Sequence, residues 1–410
     1  MVHRWIGVVA VVLCLHLGHA PSLKAHQPEG TLTVAVATFG GERWLPSQYV
    51  GAEDIVLKPL YENLLSRDPQ TGALTPLLAE RWEMLEAGKA WRFHLRPGVP
   101  FHDGHGEVTA HDVQFTFAQI AKEGSVNALA PEFRRITRMD VSDPRTITLH
   151  FDAPFVTFGH RVTQGLFASV AYIQPQQYTT AVGEAGVEHH PVGTGPWRFV
   201  EHIRGQRIVY EAVANHWRAV PHFQRLVFLR VPDPATRIAM LRAGDADVIE
   251  IGSDYTEALQ KAGLRTLIMP HTAWVWVVLG GQWPTRPTYD PTVPWALPDT
   301  DRARKVRLAL NLAVDKDAII QKLFGGLGTP GGTVNFYPTD PWTTAALARP
   351  LPYDPQQAKA LLAEAGYPQG FAVTMNLVAW PGRSYLPDVG EAVAMYWERI
   401  GLTVTRRPVD

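Results

Sequence analysis

Short alternating apolar runs, each tied to a capped and glycine-stopped helical stretch, constrain this chain more than any other feature. From Thr31 to Thr38, Leu32, Val34 and Val36 share one face, with Thr31, Thr33 and Ala35 opposite, which predicts a strand entering a sheet. Trp91, Phe93 and Leu95 alternate in the same way until Pro97-Gly98 stops them, and Thr146 to Phe151 repeats the pattern. Glu53 to Leu65 reads as a helix followed by a turn. Thr109-Ala110-His111-Asp112 has capping-box spacing, and Val113, Phe117 and Ile120 follow at helical intervals. Asp233-Pro234 starts a second helix with Ile238 and Leu241 facing inward; Gly244 ends it, and Val248 to Ile251 forms a strand. Residues 301–324 read as two helices, restarted at Asp315 and stopped by Gly325-Gly326. Asp354-Pro355 caps the next, with Ala358, Leu361, Leu362 and Ala365 before Gly366. Val389, Val393, Tyr396 and Ile400 define the last helix; Gly401 stops it and Leu402-Thr403-Val404 begins a strand. Proline-rich 284–298 reads as an exposed connection. Mixed alternation of this kind predicts an α/β (mixed α+β) architecture.

The length of 410 residues suits two or three domains, and 46% hydrophobic against 19% charged residues supports a packed core rather than a disordered chain. A net charge of -1 gives no electrostatic footprint for nucleic acid. One cysteine excludes a disulfide framework, a thiolate zinc site and an iron–sulfur site. The chain opens Met1-Val2-His3-Arg4, and Trp5 to Leu15 is almost wholly apolar. Eleven such residues rise only about 16 Å as a helix, against roughly 30 Å of hydrocarbon. Residues 1–25 therefore read as a signal peptide, cleaved after Ala20 or Ala25. Leu13 before Cys14 is not the small residue that a lipoprotein signal requires, so no lipid anchor is expected.

Six segments in order resemble family 5 solute-binding proteins of ABC importers, the oligopeptide-, dipeptide- and nickel-binding group. They are Tyr61-Glu62-Asn63-Leu64-Leu65 with Pro76 to Trp82; Trp91 to Asp103 with Thr109 to Val113; Pro191-Val192-Gly193-Thr194-Gly195-Pro196-Trp197; Leu241 to Val248; Val306 to Leu310 with Asp315-Lys316; and Tyr353 to Tyr367. The resemblance implies a two-lobed, periplasmic-binding-protein-like fold with an inserted subdomain. Mapped onto this chain, the first lobe takes 28–58 and 190–270, the inserted subdomain 59–189, and the second lobe 271–410. The family continues well past the position of Leu402, so the second lobe is expected to be incomplete. The stretch beyond holds the acidic residue that pairs with the ligand ammonium in peptide-binding members.

The resemblance implies a periplasmic, monomeric binder that closes on a peptide or peptide-like solute and hands it to membrane permease subunits. Nickel-chelate, haem and oligosaccharide binding are the alternatives within the family; an exported hydrolase is the alternative outside it. No cofactor and no catalytic residue is expected: Gly-x-Ser-x-Gly is absent, Ser253 and Ser384 have no motif context, and Asp245 and Asp247 read as turn residues. His94, His102, His105 and His111 cluster without metal-ligand spacing; His102 reads as part of a polar turn and His111 as an exposed first-turn residue. Gly193 and Gly195 read as positions for positive φ or close backbone approach. In Thr272 to Val278, alternation puts Trp274 and Trp276 on one face of a strand, either as core or as indole surfaces for a ligand. By resemblance that strand crosses between the lobes. Phe39, Glu42 and Trp44 follow the first strand, where polar ligands meet such sheets. Trp380 and Arg383 are candidates for a stacking wall and a carboxylate partner.

Overall fold

The computed structural model describes residues 27–49, 53–164, 171–252, 255–268, 274–298, 300–334, 343–378, 383 and 385–409. The apolar leader with Cys14, and Ser253, Trp380 and Ser384, lie outside these residues.

Thr31–Val36 is a strand, and it sits inside a five-stranded sheet between Val248–Ile249 and Arg225–Arg230, parallel to both. Arg207–Ala212 and Trp197–Ile203 extend the sheet antiparallel. These last two strands and Arg225–Arg230 were not expected, although Ile208, Tyr210, Leu226 and Phe228 alternate inward and Gly205 turns the hairpin between the two antiparallel strands at φ 70°. The parallel strands all end at one edge, which makes that edge the place to look for a ligand.

Next to it, Ala79–Leu85, Ala90–Leu95, Thr146–Phe151 and Ile136–Asp143 form an antiparallel sheet in that spatial order. The helix Ala110–Ala121 lays Val113, Phe117 and Ile120 on it. Thr109 closes the capping box: its backbone N–H and its hydroxyl both donate to Asp112 Oδ2, at 2.8 and 2.7 Å. Asp112 Oδ1 also accepts the Gln176 N–H at 2.8 Å, so the same carboxylate ties in the helix Gln176–His189. Thr109→Ala should cost about 1 kcal/mol, read as a fall in melting temperature. An unchanged melt would show that the cap contributes nothing. A small sheet of Leu74–Pro76, Leu65–Arg67 and Thr163–Gln164 joins these layers, and all three sheets share one hydrophobic core.

The expected helix over 53–65 is one turn, Asp54–Leu57. Pro59 has no N–H to give a helix, and the chain instead turns back through Leu60 N and Tyr61 N on Leu57 O. On the helix Pro234–Ala243, the cap at Asp233 and the left-handed Gly244 are as expected, but the buried side chain is Arg237; Ile238 and Leu241 are only half-buried.

A second, separate core gathers residues from Trp295 to Val404. Asp301–Leu312 and Lys316–Phe324 are the two expected helices, with Asp315 accepting from Ala318 N and Gly325 left-handed at the stop. Pro355–Glu364 packs on the first of them. Ala372–Val378 and Thr403–Val409 pair in parallel, and the helix Leu386–Arg399 makes the crossover between them. Its buried Trp397 donates Nε1–H to Leu310 O at 3.0 Å. Residues 274–279 are not a strand, contrary to the alternation. No strand lies hydrogen-bonded beside them among the described residues, and a ladder needs a partner.

Candidate functional site

At the carboxyl edge of the parallel strands, Arg237 is the organising side chain. Arg237 is 5% exposed, and its guanidinium donates to Glu250 O at 2.7 Å, Val231 O at 2.5 Å and Pro232 O at 2.9 Å. Those carbonyls lie where the chain leaves two of the strands, so one buried cation satisfies three groups that the ladders no longer serve. The Glu250 carboxylate turns to the third exit and accepts Ala37 N at 2.9 Å. The edge is thereby held by one arginine and one glutamate.

From Ala37 the chain enters the loop that carries Phe39, Glu42 and Trp44. Glu42 has a left-handed backbone, φ 52°, unusual for a side-chain-bearing residue. Its carboxylate holds that shape by accepting His202 Nε2 and Gly205 N, each at 2.8 Å. Phe39 and Trp44 are buried in the larger core, at 0% and 1% exposure, and present no surface to a solute in this arrangement. The Trp44 ring meets Phe199 and His202 edge-on at 5.6 and 5.7 Å. Its carbonyl accepts from the Tyr49 hydroxyl at 2.6 Å and from Gln174 Nε2, while its N–H reaches Glu188 at 3.1 Å. Tyr49 and Tyr61 are both held protonated by burial. Loop shape here depends on buried polar bonds rather than on solvent.

The other candidates lie apart from this loop in the chain. Trp274 is half-buried with its ring on Gly331, where a β-carbon would collide with the indole. Trp276 is 51% exposed and Val278 70% exposed. Arg383 is half-buried. Trp380 cannot be placed relative to it, lying outside the described residues.

Polar clusters near the middle of the chain serve the scaffold. Gly193 and Gly195 lie so close to the Leu60 and Pro59 carbonyls that neither has room for a β-carbon, and close approach, not positive φ, explains both. Gly195 N donates to Leu60 O at 2.8 Å and Trp197 N to Pro59 O at 3.1 Å. Glu62, fully buried, binds Arg218 at 2.9 Å and Trp217 Nε1 at 3.1 Å. His102 begins the expected turn but is buried, on Gly195 O at 2.7 Å, and His94 reaches Glu83 at 3.3 Å; His111 is exposed. Among the described residues no three His, Cys, Asp or Glu converge as metal ligands, and no helix is long and apolar enough to cross a membrane.

A five-stranded sheet and an antiparallel sheet on one core, with a second α/β core, is the periplasmic-binding-protein architecture. The solved structures with the same fold include the binding protein AgaA of A. tumefaciens R10 in complex with agropinic acid, at 24% identity and TM-score 0.70, covering 93% of this chain and 73% of that one. DppA of Helicobacter pylori in complex with the peptide STSA matches at 22% identity and TM-score 0.68, covering 94% and 75%. The family model for bacterial extracellular solute-binding proteins, family 5 (middle), matches residues 73–410, and the chain belongs to that family. Among curated relatives, the dipeptide-binding protein of Escherichia coli K12 is 29% identical over 84% of this chain and 65% of its own length. Heme-binding protein A of Haemophilus influenzae is 31% identical over 84% and 63%. The chain thus spans just under two thirds of the length of these relatives.

Proposed function

We infer that this chain is the solute-binding component of an ABC importer, acting outside the cytoplasmic membrane as a monomer after loss of residues 1–25. It takes a peptide or peptide-like solute and delivers it, unaltered, to permease subunits. The observation that carries this reading is family membership over 73–410, supported by the dipeptide-binding relative at 29% identity. The physical division supports it too: the two cores are separate, which suits lobes that move as units. In this reading 28–58 with 190–270, and 271–410, are those lobes, and 59–189 is the inserted subdomain. Trp274, Trp276, Trp380 and Arg383 supply aromatic walls and a cation for a ligand carboxylate. Phe39, Glu42 and Trp44 act from behind, fixing the backbone of the loop at the carboxyl edge.

Haem is the second reading, favoured by the relative at 31% identity. A thermal-shift panel with a dipeptide, glutathione, haem and nickel–histidine separates the two. Dipeptide at about 100 times its Kd should stabilise by about 2.7 kcal/mol. A shift with haem alone would replace the peptide reading, and turnover of any of them would end the transport reading.

A further inference from the structure

His102 and His216 come from different parts of the fold and close on the same three-residue segment. His102 follows the antiparallel sheet of the subdomain; its N–H donates to Gly193 O at 2.9 Å and its Nε2 bonds Gly195 O at 2.7 Å. His216 follows the strand Arg207–Ala212 of the five-stranded sheet, and its Nε2 bonds Thr194 O at 2.8 Å. A carbonyl only accepts, so both imidazoles carry the hydrogen on Nε2. His216 Nδ1 then accepts two backbone N–H groups, Ala219 at 3.1 Å and Arg218 at 3.4 Å. That turn places the Arg218 guanidinium on the buried Glu62 carboxylate, with Trp217 Nε1 on the same group.

We propose that His216 is an acid-sensitive latch on the seam between the five-stranded sheet and the neighbouring subdomain. A proton on Nδ1 converts an acceptor of two N–H groups into a donor aimed at both. The turn 216–219 must then open, and Arg218 leaves Glu62. The bond to Thr194 O is weakened at the same time, because the ring that makes it is pushed out of place. This idea stands on the tautomer that the contacts impose, independently of what solute the protein carries.

The surrounding charges are arranged for such a response. Glu62 favours the protonated ring of His216 and Arg218 opposes it. Asp103 favours, and Arg198 and His216 oppose, the charged form of His102. Asp103 is itself engaged by His190 at 3.0 Å and Arg198 at 2.8 Å. Arg96 and Arg218 lie over the Trp217 ring at 5.3 and 5.8 Å, which adds cationic character beside the turn. Burial is the largest influence on both rings, depressing His216 and pushing His102 down to about 4 from 6.5. Opening of the 216–219 turn exposes the His216 ring, which then takes up a proton near the ordinary histidine value, while His102 stays held on Gly195 O. Opening is therefore suppressed at neutral pH and favoured progressively as pH falls below about 6.5.

The test is hydrogen exchange of the whole chain at pH 7.5 and 5.0, corrected for intrinsic rates. Peptides spanning 213–220 and 193–197 should open about tenfold more at the lower pH, with the helix Ala110–Ala121 unchanged. His216→Asn keeps an acceptor at the Nδ1 position and cannot be protonated, so it should remove this pH dependence. Wild-type opening that is flat between the two values, or His216→Asn with the wild-type dependence, overturns the proposal. If the variant does not fold, imidazole NMR on the native chain decides: proton uptake by His216 below 6.5, together with loss of the Ala219 amide protection, supports it. Uptake at or above 6.5 sinks it.

Discussion

Phe158→Ala is expected to lower the stability of the larger core by about 4 kcal/mol, the range for emptying a buried aromatic site. Phe158 is fully buried, and six aromatic rings surround it: Trp91, Phe93, Phe117, Phe133, Phe151 and Phe155, with centroids between 4.8 and 6.4 Å. Those rings come from two strands of the antiparallel sheet, two helices and the Phe155 loop. They are fixed by their own backbones and cannot collapse into the space a phenyl ring leaves. Edge and tilted contacts are lost together with the buried area. Trp91 is already anchored by Nε1–H to Phe155 O at 2.9 Å, which limits its drift. Calorimetry should show the melting transition of this core falling by roughly 8–16 °C, since 1 kcal/mol moves a domain of this size by about 2–4 °C. Phe158→Leu should cost about 1–2 kcal/mol, because most of the volume is kept. Equal effects of the two variants would show that the site relaxes freely and that the cluster is not rigid.

Gly195→Ala should be nearly as damaging for a different reason. A methyl there would clash with the Pro59 carbonyl oxygen and the Leu60 carbonyl, and the backbone on both sides would have to separate. Separation breaks Gly195 N to Leu60 O and Trp197 N to Pro59 O, and shifts the carbonyl that His102 holds. Overpacking against backbone, unlike overpacking against a flexible side chain, has no cheap relief, and a cost of about 3 kcal/mol is expected. Gly205→Ala is the useful comparison: it sits at φ 70° in the open hairpin, where a β-carbon meets nothing, and its penalty is the local backbone alone. Equilibrium unfolding in urea should rank Gly195→Ala well above Gly205→Ala. The reverse order would mean that the close approach at the seam does not exist in solution.

Much of the secondary structure was legible because its signals are local. The capping box at Thr109, the Asp-Pro starts at Asp233 and Asp354, and the stops at Gly244 and Gly325 each depend on a few adjacent residues. Where the expectation missed, a longer-range partner was in control. The alternating Trp274 to Val278 has the composition of a strand, yet no neighbour offers it a ladder among the described residues. The inner face of Pro234–Ala243 was assigned to Ile238 and Leu241, yet three strand-exit carbonyls draw Arg237 inside instead. Phe39 and Trp44 follow the first strand as a ligand-facing pair would, but aromatic area in a loop goes to whichever core can cover it, and here that is the larger one.

The sequence by itself determined the class of architecture, the limits of the helices with clear caps and glycine stops, and the family, because periodicity, caps and ordered motifs are properties of neighbours along the chain; the fourteen-residue helix Gln176–His189, without such a cap, was not among them. Only the tertiary structure decided which polar residues hold the carboxyl edge, why Gly193 and Gly195 must be glycine, and which nitrogen of His216 carries its hydrogen. Those outcomes depend on groups far apart in the chain, Thr194 and His216 by 22 positions and Ala37 and Glu250 by 213; the polar ones are decided by the cost of removing a donor or acceptor from water without a partner, and the glycines by the lack of room for a β-carbon against the Leu60 and Pro59 carbonyls.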